Sequence, residues 1–211
     1  MSRAFGVVLN VQGDQFARLH KLQVAFAALC NDLAPFVSKQ QCWNRVTLHH
    51  LKYRELRIKH PDIGSQMVCN AIYAVSKVSR LVYQHPASPF HVKKMVGRGL
   101  PIIKFSPDCP VYFDSHTLTL NGQSLSMYTM DGRIKFELTL TLDQKELLAT
   151  QRLTEITLSK CAEEQFMLTF YFSAVDVQEV ASALSVSTRP LTAPGKSSLT
   201  LPPYVGVETI A

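Results

Sequence analysis

Residues 116–140 read HTLTLNGQSLSMYTMDGRIKFELTL. Apolar side chains recur at every second position, through Leu118 and Leu120, then Leu125 and Met127, then Ile134, Phe136, Leu138 and Leu140. A period of two is that of a strand with one face in a core and the other in water. Asn121-Gly122 and Asp131-Gly132 fall between the runs, where such pairs favour type I′ turns. The stretch predicts a succession of antiparallel hairpins.

On either side the pattern continues. PIIKF (101–105) and VYF (111–113) read as strands, DQKELLAT (143–150) as a short helix, and LTEITLSK (153–160) with FMLTFYF (166–172) as a further hairpin across CAEEQ. At the other end of the chain, FGVVLN (5–10) reads as a strand that stops at Gly13. These strands predict a small antiparallel β-barrel of OB-like form built from residues 1–12 and 100–172. The class is α+β, because a helical block over 13–99 is inserted after the first strand.

Within that block the spacing changes to three and four. Phe16, Leu19, Leu22, Phe26, Leu29, Cys30 and Leu33 predict a helix over 14–34, with Asp14 as N-cap and Pro35 as terminator. Leu48, Leu51 and Leu56 predict a second helix over 44–59, stopped by His60-Pro61. Asp62 or Ser65 caps a third, whose positions Val68, Ala71, Ile72, Val75, Val78 and Val82 face a core. Its opposite stripe, Gln66, Asn70, Tyr73, Lys77, Arg80 and Gln84, holds amides, an aromatic and cations but no acid.

Charge is concentrated in the same region. The chain carries +6, yet residues 44–104 hold eleven Lys/Arg against Glu55 and Asp62, a net of +9 that leaves −3 for the remainder. Localised positive charge displaces counterions from phosphates and so binds polyanions; a basic face kept for solubility is the simpler alternative. Tyr53, Arg54, Arg57, Lys59, His60, Gln66, Asn70, Tyr73, Lys77 and Arg80 are the candidate nucleic-acid-binding residues, since cations beside aromatics and amides can hold phosphates and contact bases. Half-buried helix tyrosines are the alternative for Tyr53 and Tyr73.

Catalytic signatures are missing from the sequence: there is no GxGxxG, P-loop, HExxH or GxSxG. No catalytic residue, metal ligand or cofactor is expected. His49-His50 are adjacent and cannot share one helix face. Cys30, Cys42, Cys69, Cys109 and Cys161 are odd in number, widely spaced and without a CxxC pair, which favours neither a disulfide framework nor a zinc ribbon. No apolar run approaches the roughly 20 residues of a membrane span, and the N-terminal residues lack a signal-peptide pattern, so a cytoplasmic location is expected. Residues 173–203, rich in Ser, Thr and Pro toward their end, read as a flexible linker, and YVGVETIA (204–211) as the start of another strand.

Three segments in order resemble the N-terminal half of TnpB, the RNA-guided nuclease of some insertion sequences and a relative of type V CRISPR effectors. They are LHHLKYRELRIKHPDIGSQMVCNAIYAVSKVSR, VYFDSHTLTLNGQSLSMYTMDGRIKFELTL and YVGVETIA. The resemblance covers about residues 5–172, with the last segment placed where the family begins its RuvC-like nuclease domain. It implies a wedge-type barrel split by a helical recognition domain and partners that include a structured guide-type RNA and target DNA, with the nuclease domain either on a separate chain or lost by truncation. Glu208 falls where the family's first catalytic Asp would stand. One carboxylate cannot assemble a two-metal site, so the chain by itself is expected not to cut DNA. The rival expectation is an interaction protein that docks a partner polypeptide through its barrel and its C-terminal strand.

Overall fold

The computed structural model describes residues 3–173 and 199–209. Most of the predicted linker lies outside the described residues. The chain is α+β, with strand β1 (Arg3–Leu9), helices α1 (Gly13–Gln40), α2 (Arg45–Lys59) and α3 (Ser65–Gln84), strands β2 (Ile102–Phe105), β3 (Val111–Phe113), β4 (Leu118–Asn121), β5 (Ser124–Thr129) and β6 (Gly132–Glu137), helix α4 (Leu142–Thr150), and strands β7 (Leu153–Ala162), β8 (Gln165–Phe172) and β9 (Val205–Glu208).

Every pairing is antiparallel, and the strands form three sheets, ordered β1-β8-β7-β3, β4-β5-β6 and β2-β9. The N-terminal strand pairs with the last strand of the long hairpin, Phe5 opposite Phe170 and Val7 opposite Leu168, so the helices are inserted between β1 and β2 as the sequence implies. No sheet closes on itself among the described residues. Instead a polar cavity of about 570 Å³ runs between the β1 backbone at Gly6–Asn10 and the β6 side at Lys135–Thr139, and the outer edges of β1 and β6 stay unpaired to each other.

One face of the four-stranded sheet carries Val7, Leu9, Val111, Phe113, Ile156, Leu158, Phe166, Leu168 and Phe170, all buried. This face and the buried stripe of α1 share one core with the inner side of α3, where Val68, Ala71, Ile72, Val75 and Val82 are inaccessible. The two periodicities of the sequence thus meet in a single apolar interior.

Three local expectations are corrected. α1 does not stop before Pro35 but runs through it to Gln40. An interior proline costs about 3 kcal/mol, which the packing of the last turns offsets. Leu33, Ala34 and Val37 are buried, Ser38 donates to the Leu100 carbonyl, and the Asn31 amide clamps Phe105, accepting from its N–H at 2.8 Å and donating to its carbonyl at 2.9 Å. The N-cap of α1 is Gln12 rather than Asp14, and the Gln15 side chain accepts from the Gln12 N–H at 3.1 Å. Neither short hairpin is type I′, which needs positive φ at both central residues. Gly122 (φ +62) and Gln123 link β4 to β5, and Met130-Asp131 link β5 to β6 with Gly132 (φ +95) following; Gln41 is the one non-glycine residue with positive φ among those described.

Candidate nucleic-acid interface

The ten candidate residues separate into two places. At the end of α2, Tyr53 is half-buried and stacks on His49, ring centres 4.7 Å apart. Lys59 Nζ lies 2.6 Å from Asp32 Oδ1 and His60 Nε2 lies 2.6 Å from Asp32 Oδ2, so both residues tie α2 to α1. Burial alone would raise the Asp32 pKa, but the hydrogen bonds from Lys59 and His60 prevail and hold it below the usual carboxylate range. Arg57 donates to the carbonyls of His60 and Ile63, closing the turn into α3. Of this group Arg54 points into solvent without a hydrogen bond among the described residues.

The stripe on α3 lies against the sheet. Gln66 donates to the Asp114 carboxylate, and the buried Asn70 donates to the Tyr112 carbonyl at 3.1 Å. These two amides are built into the interior polar network around Asp114 and Thr117 rather than presented to a ligand. Tyr73 donates its hydroxyl to Glu155 at 2.8 Å, and burial first, then this carboxylate, pushes its pKa up to about 12. Lys77 lies 2.7 Å from both oxygens of Glu155. Arg80, one turn further and exposed, bonds only to Ser76 Oγ among the described residues, at 3.1 Å.

Tyr73, Lys77 and Arg80 border a groove of about 1240 Å³. Its floor is the second face of the four-stranded sheet, where Tyr112, Glu155, Thr157, Ser159 and Tyr171 project by the two-residue alternation of their strands. The far wall is Pro202-Pro203-Tyr204, which leads into β9. Tyrosines therefore stand on both sides and on the floor. Two of them have cations over their rings: Arg45 lies 5.1 Å from the Tyr73 centroid and Lys77 lies 5.3 Å from that of Tyr112. Burial raises the phenol pKa values of Tyr112 and Tyr204, as it does that of Tyr73, so these three hydroxyls stay protonated at neutral pH.

The sequence singled out the helical side of the groove and missed the sheet side. Tyr171 carried a signal, being out of phase with the buried Phe170 and Phe172 in a period-two strand. Glu155 carried none, since its partners Tyr73 and Lys77 are 82 and 78 residues away in the chain.

Glu208 sits on β9 opposite Ile102, its carboxylate exposed and 2.9 Å from Lys104 Nζ. No group of three or more His, Cys, Asp or Glu side chains is placed to hold a metal ion among the described residues. All five cysteines are free thiols, with Cys30 and Cys109 buried and their pKa values raised chiefly by that burial. No described helix is long and apolar enough to cross a membrane. No known protein-family model matches the chain, and no curated protein matches it.

Proposed function

We propose that this chain is a nucleic-acid-binding protein without catalytic activity of its own, the guide-RNA-binding and heteroduplex-binding half of a TnpB-like effector. In this reading the sheets are the staves of a wedge-type barrel and the block of α1 to α3 is the recognition part. The observation that carries the reading is the groove between α3 and the sheet, where Lys77 and Arg80 stand beside Tyr73, Tyr171 and Tyr204. Cations that hold a phosphate backbone next to flat aromatic surfaces are the two elements of single-strand and RNA binding. The net +9 of residues 44–104 adds a sequence-independent attraction.

The test is binding of a structured RNA by the purified chain over a range of salt. Affinity falls steeply as salt rises, and exchanging Arg54 and Arg80 together for Ala flattens the logarithmic slope by about two phosphate contacts, roughly 0.7–0.9 each. These two are chosen because their replacement breaks one hydrogen bond at most. An unchanged slope would remove both residues from the interface. Cleavage of DNA by the pure chain with a divalent metal, abolished in Glu208→Ala, would overturn the non-catalytic part of the reading.

A further inference from the structure

The two long strands of the groove floor leave one aromatic ring uncovered. Tyr171 projects from β8 on the face opposite the core, and its register neighbours are Ala4 on β1 and Glu155 on β7. Ala4 is too small to shield it, and at the next β1 position on that face the space above Gly6 is taken by Met167, which leaves the Ala4 side of the ring open. Tyr171 as a residue is 36% exposed, the one tyrosine among the exposed large hydrophobic residues. Tyr73 and Tyr112, by contrast, already have cations over their rings.

Around this ring the groove supplies the remaining parts of a nucleotide site. Arg80 has five N–H donors in its guanidinium, and Ser76 Oγ occupies one of them among the described residues. Ser159 and Thr157 line the floor with hydroxyls, and Tyr204 closes the far side. The cavity of about 1240 Å³ exceeds the roughly 300–1,000 Å³ typical of a drug-sized ligand. A stretch of backbone with a base attached fits there. A double helix stacks its bases inside and offers only their edges and its backbone, so a ring on the floor of a groove serves a base that has left the stack.

We propose that the groove binds single-stranded nucleic acid, with one unpaired base stacked on Tyr171 and the adjoining phosphate on Arg80. This rests on the nucleic-acid-binding reading of the same groove and narrows it from a polyanion surface to an unpaired segment. Every base has a π face, so stacking selects single strands over duplexes rather than one base over another.

The experiment is fluorescence anisotropy of the full chain with a labelled ten-nucleotide single-stranded RNA, a DNA of the same sequence and a blunt RNA duplex, all at one salt concentration. Both single strands are expected to bind more tightly than the duplex. Tyr171→Ala should weaken single-strand binding about tenfold, in the range found for one base–aromatic stack, and change duplex binding less than twofold. Tyr171→Phe, which keeps the ring, should restore wild-type affinity, and near-identical circular dichroism of the three proteins shows that folding is intact. Equal affinity for duplex and single strand, or a Tyr171→Ala protein that binds single strands like the wild type, overturns this inference while leaving the broader reading in place. A wild-type chain that binds none of the three probes overturns both.

Discussion

Lys77 of α3 places its ammonium 2.7 Å from each oxygen of Glu155 on β7, so this carboxylate on the groove floor is matched by a cation that reaches both its oxygens. The Glu155 side chain is 9% exposed and that of Lys77 48%, which leaves the pair wet on the groove side. Replacing Glu155 by Gln removes a negative charge from the floor and releases Lys77. Binding of nucleic acid should tighten several-fold at low salt and its salt slope should steepen by up to one contact, about 0.7–0.9. Thermal stability should fall by about 1 kcal/mol, since a half-exposed charged hydrogen bond is lost. Unchanged affinity in a folded Glu155→Gln protein would place the phosphates elsewhere.

The same substitution has a spectroscopic consequence. Tyr73 titrates at about 12, raised first by burial and then by the hydrogen bond and charge of Glu155. With Gln in place of Glu the burial remains and the charge does not, so the phenol should ionise at lower pH. Absorbance near the phenolate band, followed from neutral to alkaline pH in wild type and Glu155→Gln, reads the difference directly. A Tyr73→Phe control identifies the transition.

How far the sequence reaches is visible in these residues. Tyr73 and Lys77 were legible as one stripe because helical spacing is a local property, and the strands β4 to β8 were legible because alternation is too. Pro35 misled, since its local penalty is set against packing by Asn31, Val37 and Ser38 on segments that lie some sixty to seventy residues away. Charge has the same limit: Arg57, Lys59 and His60 read as a phosphate-binding cluster in sequence, and the fold sets Asp32 and the carbonyls of the α2–α3 turn against them. Which cation meets which acid is decided by the tertiary fold, and one-dimensional spacing carries no trace of it.

Asp32 gives that ion pair a pH signature. Its folded-state pKa is depressed, so its contribution is fully present above the ordinary carboxylate pKa and is lost as pH falls through the lower folded value. At pH 7 Asp32→Asn should destabilise the protein by about 1 kcal/mol. The difference in Tm between wild type and variant should persist down to about pH 4 and shrink below it. A difference that grows on acidification would contradict the assignment.

Arg54 and Arg57 lie three positions apart and should behave in opposite ways. Arg57 donates to the His60 and Ile63 carbonyls, and since the His60 carbonyl also accepts from the Ile63 N–H, Arg57→Ala removes the donor chiefly from the Ile63 carbonyl and should cost about 1–3 kcal/mol. Arg54→Ala should change stability by no more than about 0.5 kcal/mol, while lowering affinity for RNA. Urea titrations of the two variants, run beside RNA binding, separate a structural arginine from a surface one.

The same α2–α3 turn is held from the other side by the β4-β5-β6 sheet, a meander of three consecutive strands. Tyr128 of β5 accepts a hydrogen bond from the Gly64 N–H at 2.7 Å, and a Cβ added at Gly64 would come within 3.1 Å of the Tyr128 ring. Gly64 has φ −58 and ψ 144, a conformation open to any residue, so a larger residue there is opposed by the nearness of the Tyr128 ring and not by backbone strain. Gly64→Ala should therefore push the ring aside, break the hydrogen bond and cost about 1–2 kcal/mol. Tyr128→Phe loses the hydrogen bond but keeps the ring, at about 1 kcal/mol. Because both changes remove the same bond, their sum should overestimate the double variant. A double-mutant cycle by urea denaturation measures that coupling, and strict additivity would mean that the ring yields without loss and that the helical block is not fastened to the meander at this point.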